Sequence, residues 1–174
     1  MKSSTALPSQ PSEYRIPKRE ISAEASFLGH PDRVLRLFLN ERAARHDGEE
    51  RLSDLLNGPG EFLPALEPPG KVVLLRKDAL TVLTVSAEVE FPGERDTEGV
   101  APAGVSRVRA EIVLQDGTEI RGEVVFAMPE GRTRLVDFLN LPERFFAVLD
   151  AHVARLVNKH CIARVSILSP EPGT

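Results

Sequence analysis

The sequence predicts a mainly β fold with short helical turns, built as two small units in tandem. Three observations carry this expectation. The stretch Arg51 to Phe62 (RLSDLLNGPGEF) returns as Arg134 to Phe145 (RLVDFLNLPERF), with Arg, Leu, Asp, Leu, Asn, Pro and Phe in register. Further on, Leu74 to Val85 (LLRKDALTVLTV) returns as Leu156 to Ile167 (LVNKHCIARVSI) after a slip of one residue. Matches that keep their order through both halves imply one unit used twice. The third observation is a series of short alternating segments separated by Gly, Pro, Asn and Asp, the mark of small antiparallel β units.

The second unit is the cleaner one. Val108, Ala110, Ile112 and Leu114 alternate with polar residues, as in a half-buried strand. Gln115-Asp116-Gly117-Thr118 follows, and Asp-Gly between alternating strands signals a tight hairpin, because Gly accepts the positive φ the turn needs. Glu119 to Phe126 returns as the partner strand, with Gly122 where a bulge or bend is expected. Pro129-Glu130-Gly131 breaks it. Thr133 then caps a short helix in which Leu135, Phe138 and Leu139 share a face, and Pro142 ends it. Strands over Phe145 to Leu149 and Val153 to Val157 follow, then a turn at Asn158-Lys159-His160 and a closing strand from Ile162 to Leu168.

The first unit tracks this less neatly. Ile21 to Leu28 and Val34 to Leu39 read as hairpin strands joined by Gly29-His30-Pro31-Asp32. A helix over Pro31 to Arg45 competes, since Val34, Leu35, Phe38 and Leu39 also suit a 3.6-residue period. The second unit favours the strand. The organisation is therefore a polar tail over 1–19, units over 20–90 and 107–168, a linker over 91–106 and a flexible end over 169–174. The basic cluster Arg15, Lys18 and Arg19 reads as part of a solubilising leader rather than an adhesive arm.

A formal net charge of −4 and a pI near 5.6 argue against a broadly basic nucleic-acid binder. The charge is uneven: residues 20–90 carry 8 Lys/Arg against 13 Asp/Glu, and residues 105–168 carry 9 against 8, so an anionic partner would prefer the second half. The single cysteine, Cys161, excludes an internal disulfide and suits a cytoplasmic setting. No apolar run approaches the ~18 residues of a membrane span. Ser and Pro near the start stand where a signal peptide needs apolar residues.

Five short strands with a bend after a glycine-bearing hairpin, and a closing strand after a tight turn, resemble an SH3-like small β-barrel. Within that class the second unit resembles an Sm-like domain. Leu114, Gly117, Gly122, Asp137 and Asn140 occupy the places of that family's first motif, although Met128 to Arg134 is extra length and Asp137 to Asn140 is one residue shorter than the family spacing. Asn158-Lys159-His160-Cys161-Ile162-Ala163-Arg164-Val165 is similar to the last turn of the bacterial RNA chaperone of the Sm family, which reads Lys-His-x-Ile. The repeated RLxDxLN element also resembles a bacterial tandem-repeat family of unknown function. The chaperone resemblance implies that Lys159 and His160, with Asn158 and Arg164 beside them, contact RNA at the pore of a ring. The matching turn in the first unit is Lys77-Asp78, whose carboxylate would repel a phosphate.

Asp54 and Asp137, with Asn57 and Asn140, recur in both halves and read first as structural, bonding nearby backbone to close the helical turn ahead of Pro. Arg51 and Arg134 stand three residues before these carboxylates, a spacing that suits an ion pair. Phe62, Phe145 and Phe146 read as core. A nucleophilic Cys161 would need a base, and His160 is its neighbour in sequence; Ala79 in the matching place suggests instead a small core position. The four histidines lack the close spacings of a zinc site, so no metal and no small-molecule cofactor is expected. The reading that leads is a non-enzymatic binding or assembly module, partnered by its own copies or another protein. The alternative is an Sm-like RNA binder using the Lys159-His160 turn, and an enzyme using Cys161 ranks last.

Overall fold

The computed structural model describes residues 18–44, 46–93, 105–129 and 134–168. The first unit runs β1 (Lys18–Phe27), β2 (His30–Asn40), α1 (Leu52–Asn57), β3 (Phe62–Glu67), β4 (Lys71–Arg76), a 3₁₀ turn (Lys77–Ala79), β5 (Leu80–Ser86) and α2 (Ala87–Glu90). The second runs β6 (Val105–Leu114), β7 (Glu119–Ala127), α3 (Leu135–Leu139), β8 (Phe145–Asp150), β9 (Val153–Asn158), a 3₁₀ turn (Lys159–Cys161) and β10 (Ile162–Ile167). The readings of residues 1–17, 94–104 and 169–174, and of Thr133 as a cap, lie outside the described residues. The tail expected over 1–19 gives way to β1 at Lys18, and the linker expected over 91–106 gives way to β6 at Val105.

The segment open to two readings is a strand. Leu35, Leu37 and Leu39 are at most 1 % exposed while Val34 stands 56 % exposed, which is a period of two and not of 3.6. Its hairpin partner β1 buries Ile21, Ala23 and Ala25 on the same face. The turn between them is tighter than Gly29 to Asp32: only Leu28 and Gly29 lie between the strands, and Gly29 takes φ +72°. The Asp116-Gly117 turn forms as expected, with Gly117 at φ +88° and the Thr118 amide donating to the Asp116 carboxylate at 2.9 Å.

All ten strands form one antiparallel sheet that is not closed, in the order β10-β6-β7-β8-β9-β5-β1-β2-β3-β4. Read by halves, the order is β5-β1-β2-β3-β4 and then β10-β6-β7-β8-β9, the same arrangement of first to fifth strands. The halves join where β5 pairs with β9, from Val82 opposite Val157 to Ser86 opposite Val153. Among the described residues, β4 and β10 end the sheet, each with one neighbour.

Two apolar clusters fill the interior, and they interleave. The first gathers residues of the first half with Phe145, Ala147, Ala154 and Leu156 from β8 and β9. The second gathers residues of the second half with Val82 from β5. Each half thus completes its core with side chains from the other, a gain for units near the lower size at which a core stabilises itself.

Gly122 marks no bulge. It pairs with Ala110 in a ladder whose register does not shift. Its role is close approach: a Cβ there would lie 2.5 Å from the Leu149 carbonyl oxygen and 2.8 Å from Val148 Cγ1. Only a residue without a side chain lets β8 come this near. Gly122→Ala is therefore expected to cost roughly 1–3 kcal/mol, the ordinary cost of overpacking. Urea denaturation checks this, and an unchanged midpoint would contradict it.

Candidate assembly interface

The 3₁₀ turn that precedes the last strand of each half is tied to the helix of the same half by a lysine. The Lys77 ammonium donates to the Leu55 and Gly58 carbonyls, each at 3.0 Å. The Lys159 ammonium donates to the Leu139 and Leu141 carbonyls at 3.2 and 2.5 Å. The last carbonyls of a helix have no partner within it, and a cation with three donors satisfies them. The backbone follows suit, with the Lys77 amide on the Glu61 carbonyl at 2.8 Å and the Lys159 amide on the Arg144 carbonyl at 2.9 Å. Burial lowers the pKa of both lysines; Arg144 lowers that of Lys77 further, whereas Glu143 works the other way on Lys159.

Four residues expected to act together at the second turn are thereby separated. Asn158 is fully buried, donating to the Leu80 carbonyl at 2.8 Å and accepting from the His160 amide at 3.0 Å. Lys159 serves its own helix. The His160 side chain is exposed, and Arg164 reaches Glu111 on β6 at 3.4 Å. Cys161 closes the 3₁₀ turn, and neither it nor Ala79 is a core position: Cys161 is half-buried and Ala79 exposed. Burial, then Asp116 and Asp78, push the Cys161 thiol up, which opposes a thiolate.

Among the repeated residues, Asp54 does bond nearby backbone, accepting from the Arg51 amide at 2.9 Å, and it also meets His46 at 2.9 Å. Its link to residue 51 thus runs through the amide and not the guanidinium. Arg134 and Asp137 form no ion pair with each other among the described residues. Asn57 departs from expectation most. Its side chain spans the two halves, donating from Nδ2 to the Phe145 carbonyl and accepting the Phe145 amide on Oδ1, both at 2.9 Å. One amide side chain thereby pairs the first residue of β8 as another strand would.

These contacts make one seam. The β5–β9 ladder forms its spine, Asn57 clamps the start of β8, Asn158 holds the start of β5, and Arg144 forms an ion pair with Asp78. Phe145 is 1 % exposed within it. The matching residue Phe62 was expected in the core and is instead 56 % exposed. Nothing local explains the difference, since both open a strand after the same motif; Phe145 has the other half beside it and Phe62 does not. Val72 (68 %) and Leu74 (67 %) on β4, and Ile167 (67 %) on β10, share that exposure at the free edges.

No protein-family model, curated protein or solved structure matches this chain. Among the described residues, no helix is long and apolar enough to cross a membrane, and no three His, Cys, Asp or Glu residues group as metal ligands would.

The sequence reading missed Glu90. It ends the one-turn helix α2, is 3 % exposed, and accepts the Ser53 amide at 3.0 Å, tying α2 to α1. Burial raises its pKa to about 7; hydrogen bonds from Ser53 and the charge of Arg51 oppose the rise, and Asp54 adds to it. Because the folded value lies above the unfolded one, the folded state binds the proton more tightly. The resulting stability is full below the unfolded carboxylate range and is lost as pH climbs through 7. Glu90→Gln should flatten this dependence, so the wild-type minus variant difference in denaturation midpoint should fall from pH 5 to pH 8. A difference that stays constant across that range would contradict it.

Proposed function

We propose that the chain is a non-enzymatic assembly module. Its two halves are SH3-like small barrels of Sm-like type, one unit used twice, and it joins other chains through strand edges. The common strand order of the halves and the RLxDxLN duplication support this description. A single observation carries the function: the halves are joined by edge pairing between β5 and β9, and among the described residues the joint leaves one fourth strand and one fifth strand each with one open edge. Exposed edges bearing apolar residues invite another strand, because they offer unpaired amides and carbonyls beside surface that gains by leaving water. Val72, Leu74 and Ile167 supply that surface.

The RNA-binding reading keeps the more basic second half and the exposed His160 and Arg164. It loses its central cation, since the Lys159 ammonium sits on two carbonyls of its own chain. An enzyme using Cys161 has a thiol held away from its nucleophilic form. Both readings therefore rank below assembly.

Size-exclusion chromatography with light scattering, followed at 260 and 280 nm over a series of concentrations, tests this. The wild-type mass should exceed the 19.1 kDa of one chain and grow with concentration. Leu74→Glu and Ile167→Glu, each at a position exposed in the single chain, should shift the protein to that mass without lowering its stability. A mass of one chain at every concentration, without a partner in the eluate, would contradict the proposal. Excess 260 nm absorbance removed by salt would favour RNA instead.

A further inference from the structure

We infer that a cavity between the two halves binds a small organic cation, a primary ammonium carrying a short apolar body. The ammonium sits on the Glu90 carboxylate and the body lies against phenylalanine rings. No residue of β4 or β10 lines this cavity, so the inference stands apart from the assembly reading.

The cavity measures about 300 Å³ and is lined from α1, the end of α2, β7, α3 and β8. That is the lower end of the range for small-molecule sites. The halves contribute unlike surfaces. Ser53, Asp54, Asn57 and Glu90 come from the first, and Phe126, Phe138, Phe145 and Phe146 from the second. With Phe91, five of the eight phenylalanines of the chain border this one space. Phe138 stands where the first RLxDxLN element has Leu55. Its ring stacks on Phe126 at a centroid distance of 4.7 Å and meets Phe146 edge-on at 6.0 Å. The three rings brace one another, so the wall is formed before a ligand arrives. Ring faces attract a cation, and ring surface gains by covering an apolar body.

Glu90 supplies the opposite charge. It is 3 % exposed, and among the described residues Ser53 alone hydrogen-bonds its side chain, through the amide at 3.0 Å and the hydroxyl. An ionised carboxylate has about four acceptor positions, so room remains for a further donor. No cation forms an ion pair with it among the described residues. Arg51 stands exposed, and Lys159 spends its donors on the Leu139 and Leu141 carbonyls. Around the whole lining, Arg51 and Lys159 face Asp54, Glu90 and Glu143, an excess of one negative charge. A buried charge persists only when it is paired, and one ammonium restores the balance. An anion would deepen the imbalance. A quaternary ammonium would suit the rings but has no N–H to offer the carboxylate.

Glu90 must be ionised to hold the ammonium, and burial places that step near pH 7. Affinity scales with the fraction of the competent form, so it should rise about tenfold from pH 6 to pH 8. An aliphatic amine keeps its charge throughout. The charged groups about Glu90 are Arg51 and Asp54 on α1, His46 against Asp54, Glu143 and Lys159 from the second half, and Glu88 on its own turn. On the side of β9 are His152, whose carbonyl takes the Ala87 amide, and Arg155 paired with Asp150. Strand β5 carries none. Histidine titrates in the same region, so His46 and His152 serve as controls.

Phenethylammonium chloride, titrated into the full chain at pH 6, 7 and 8 and followed by amide NMR, tests the inference. The expected result is saturable shifts grouped at Ser53, Glu90, Phe138 and Phe146, with the rise in affinity just given. Phenethyl alcohol has the same body without the charge, and should bind on the order of tenfold more weakly at pH 8, with no dependence on pH. Glu90→Gln keeps the shape of the side chain and should lose both the affinity and its pH dependence, which His46→Ala and His152→Ala retain. Equal binding of ammonium and alcohol at pH 8 would overturn the inference, and this comparison needs no variant to fold. Unchanged binding by Glu90→Gln, a pH dependence that disappears with either histidine, shifts grouped elsewhere, or no saturation at pH 8 would each overturn it as well.

Discussion

The backbone at a strand edge must be paired or left to water, and the structure turns on how this chain meets that demand at β5 and β9. Two units this small lie near the lower size at which a core stabilises itself. Pairing one unit's fifth strand with the other's fourth lets each core borrow from its neighbour, as Phe145 and Leu156 enter the first cluster and Val82 the second. The seam is therefore a source of stability and also a geometric rule. Because it is heterologous, satisfying it once inside the chain leaves the same demand open at both ends.

Side chains extend backbone pairing where strands stop. Asn57 and Asn158 complete the starts of β8 and β5, and Lys77 and Lys159 absorb the carbonyls at the ends of the two helical segments. A buried amide or carbonyl left without a partner costs more than an average hydrogen bond contributes, so these four residues hold the corners of the fold. In the Lys-His turn of the second half that duty falls to Lys159. The same duty gives a physical reason for Lys at both 77 and 159 although their neighbours differ.

Local pattern made most of the strands legible. The Asp116-Gly117 turn and the alternation around it placed β7 to β10 within a residue, the second unit favoured the strand over Leu35 to Leu39, and β1, β2 and β6 begin three or four residues earlier than the pattern indicated. What escaped was everything set by the other half. Phe62 and Phe145 share a motif and differ in burial because one sits in the seam. Asn57 finds its partner 88 residues away, and Gly122 answers to a neighbouring strand. Glu90 lies in a single helical turn with too little sequence to show a period, and its burial depends on α1 above it.

Amide hydrogen exchange across a dilution series, followed strand by strand, tests the central claim most directly. In the single chain, β5 and β9 are paired on both sides and protected, while β4 and β10 each keep one bare edge. The account predicts that the outward amides of β4 and β10 gain protection together as concentration rises, toward the level of β5 and β9. If β4 and β10 exchange at the same rate at every concentration while β5 and β9 stay protected, the seam ends within the chain and the account is wrong.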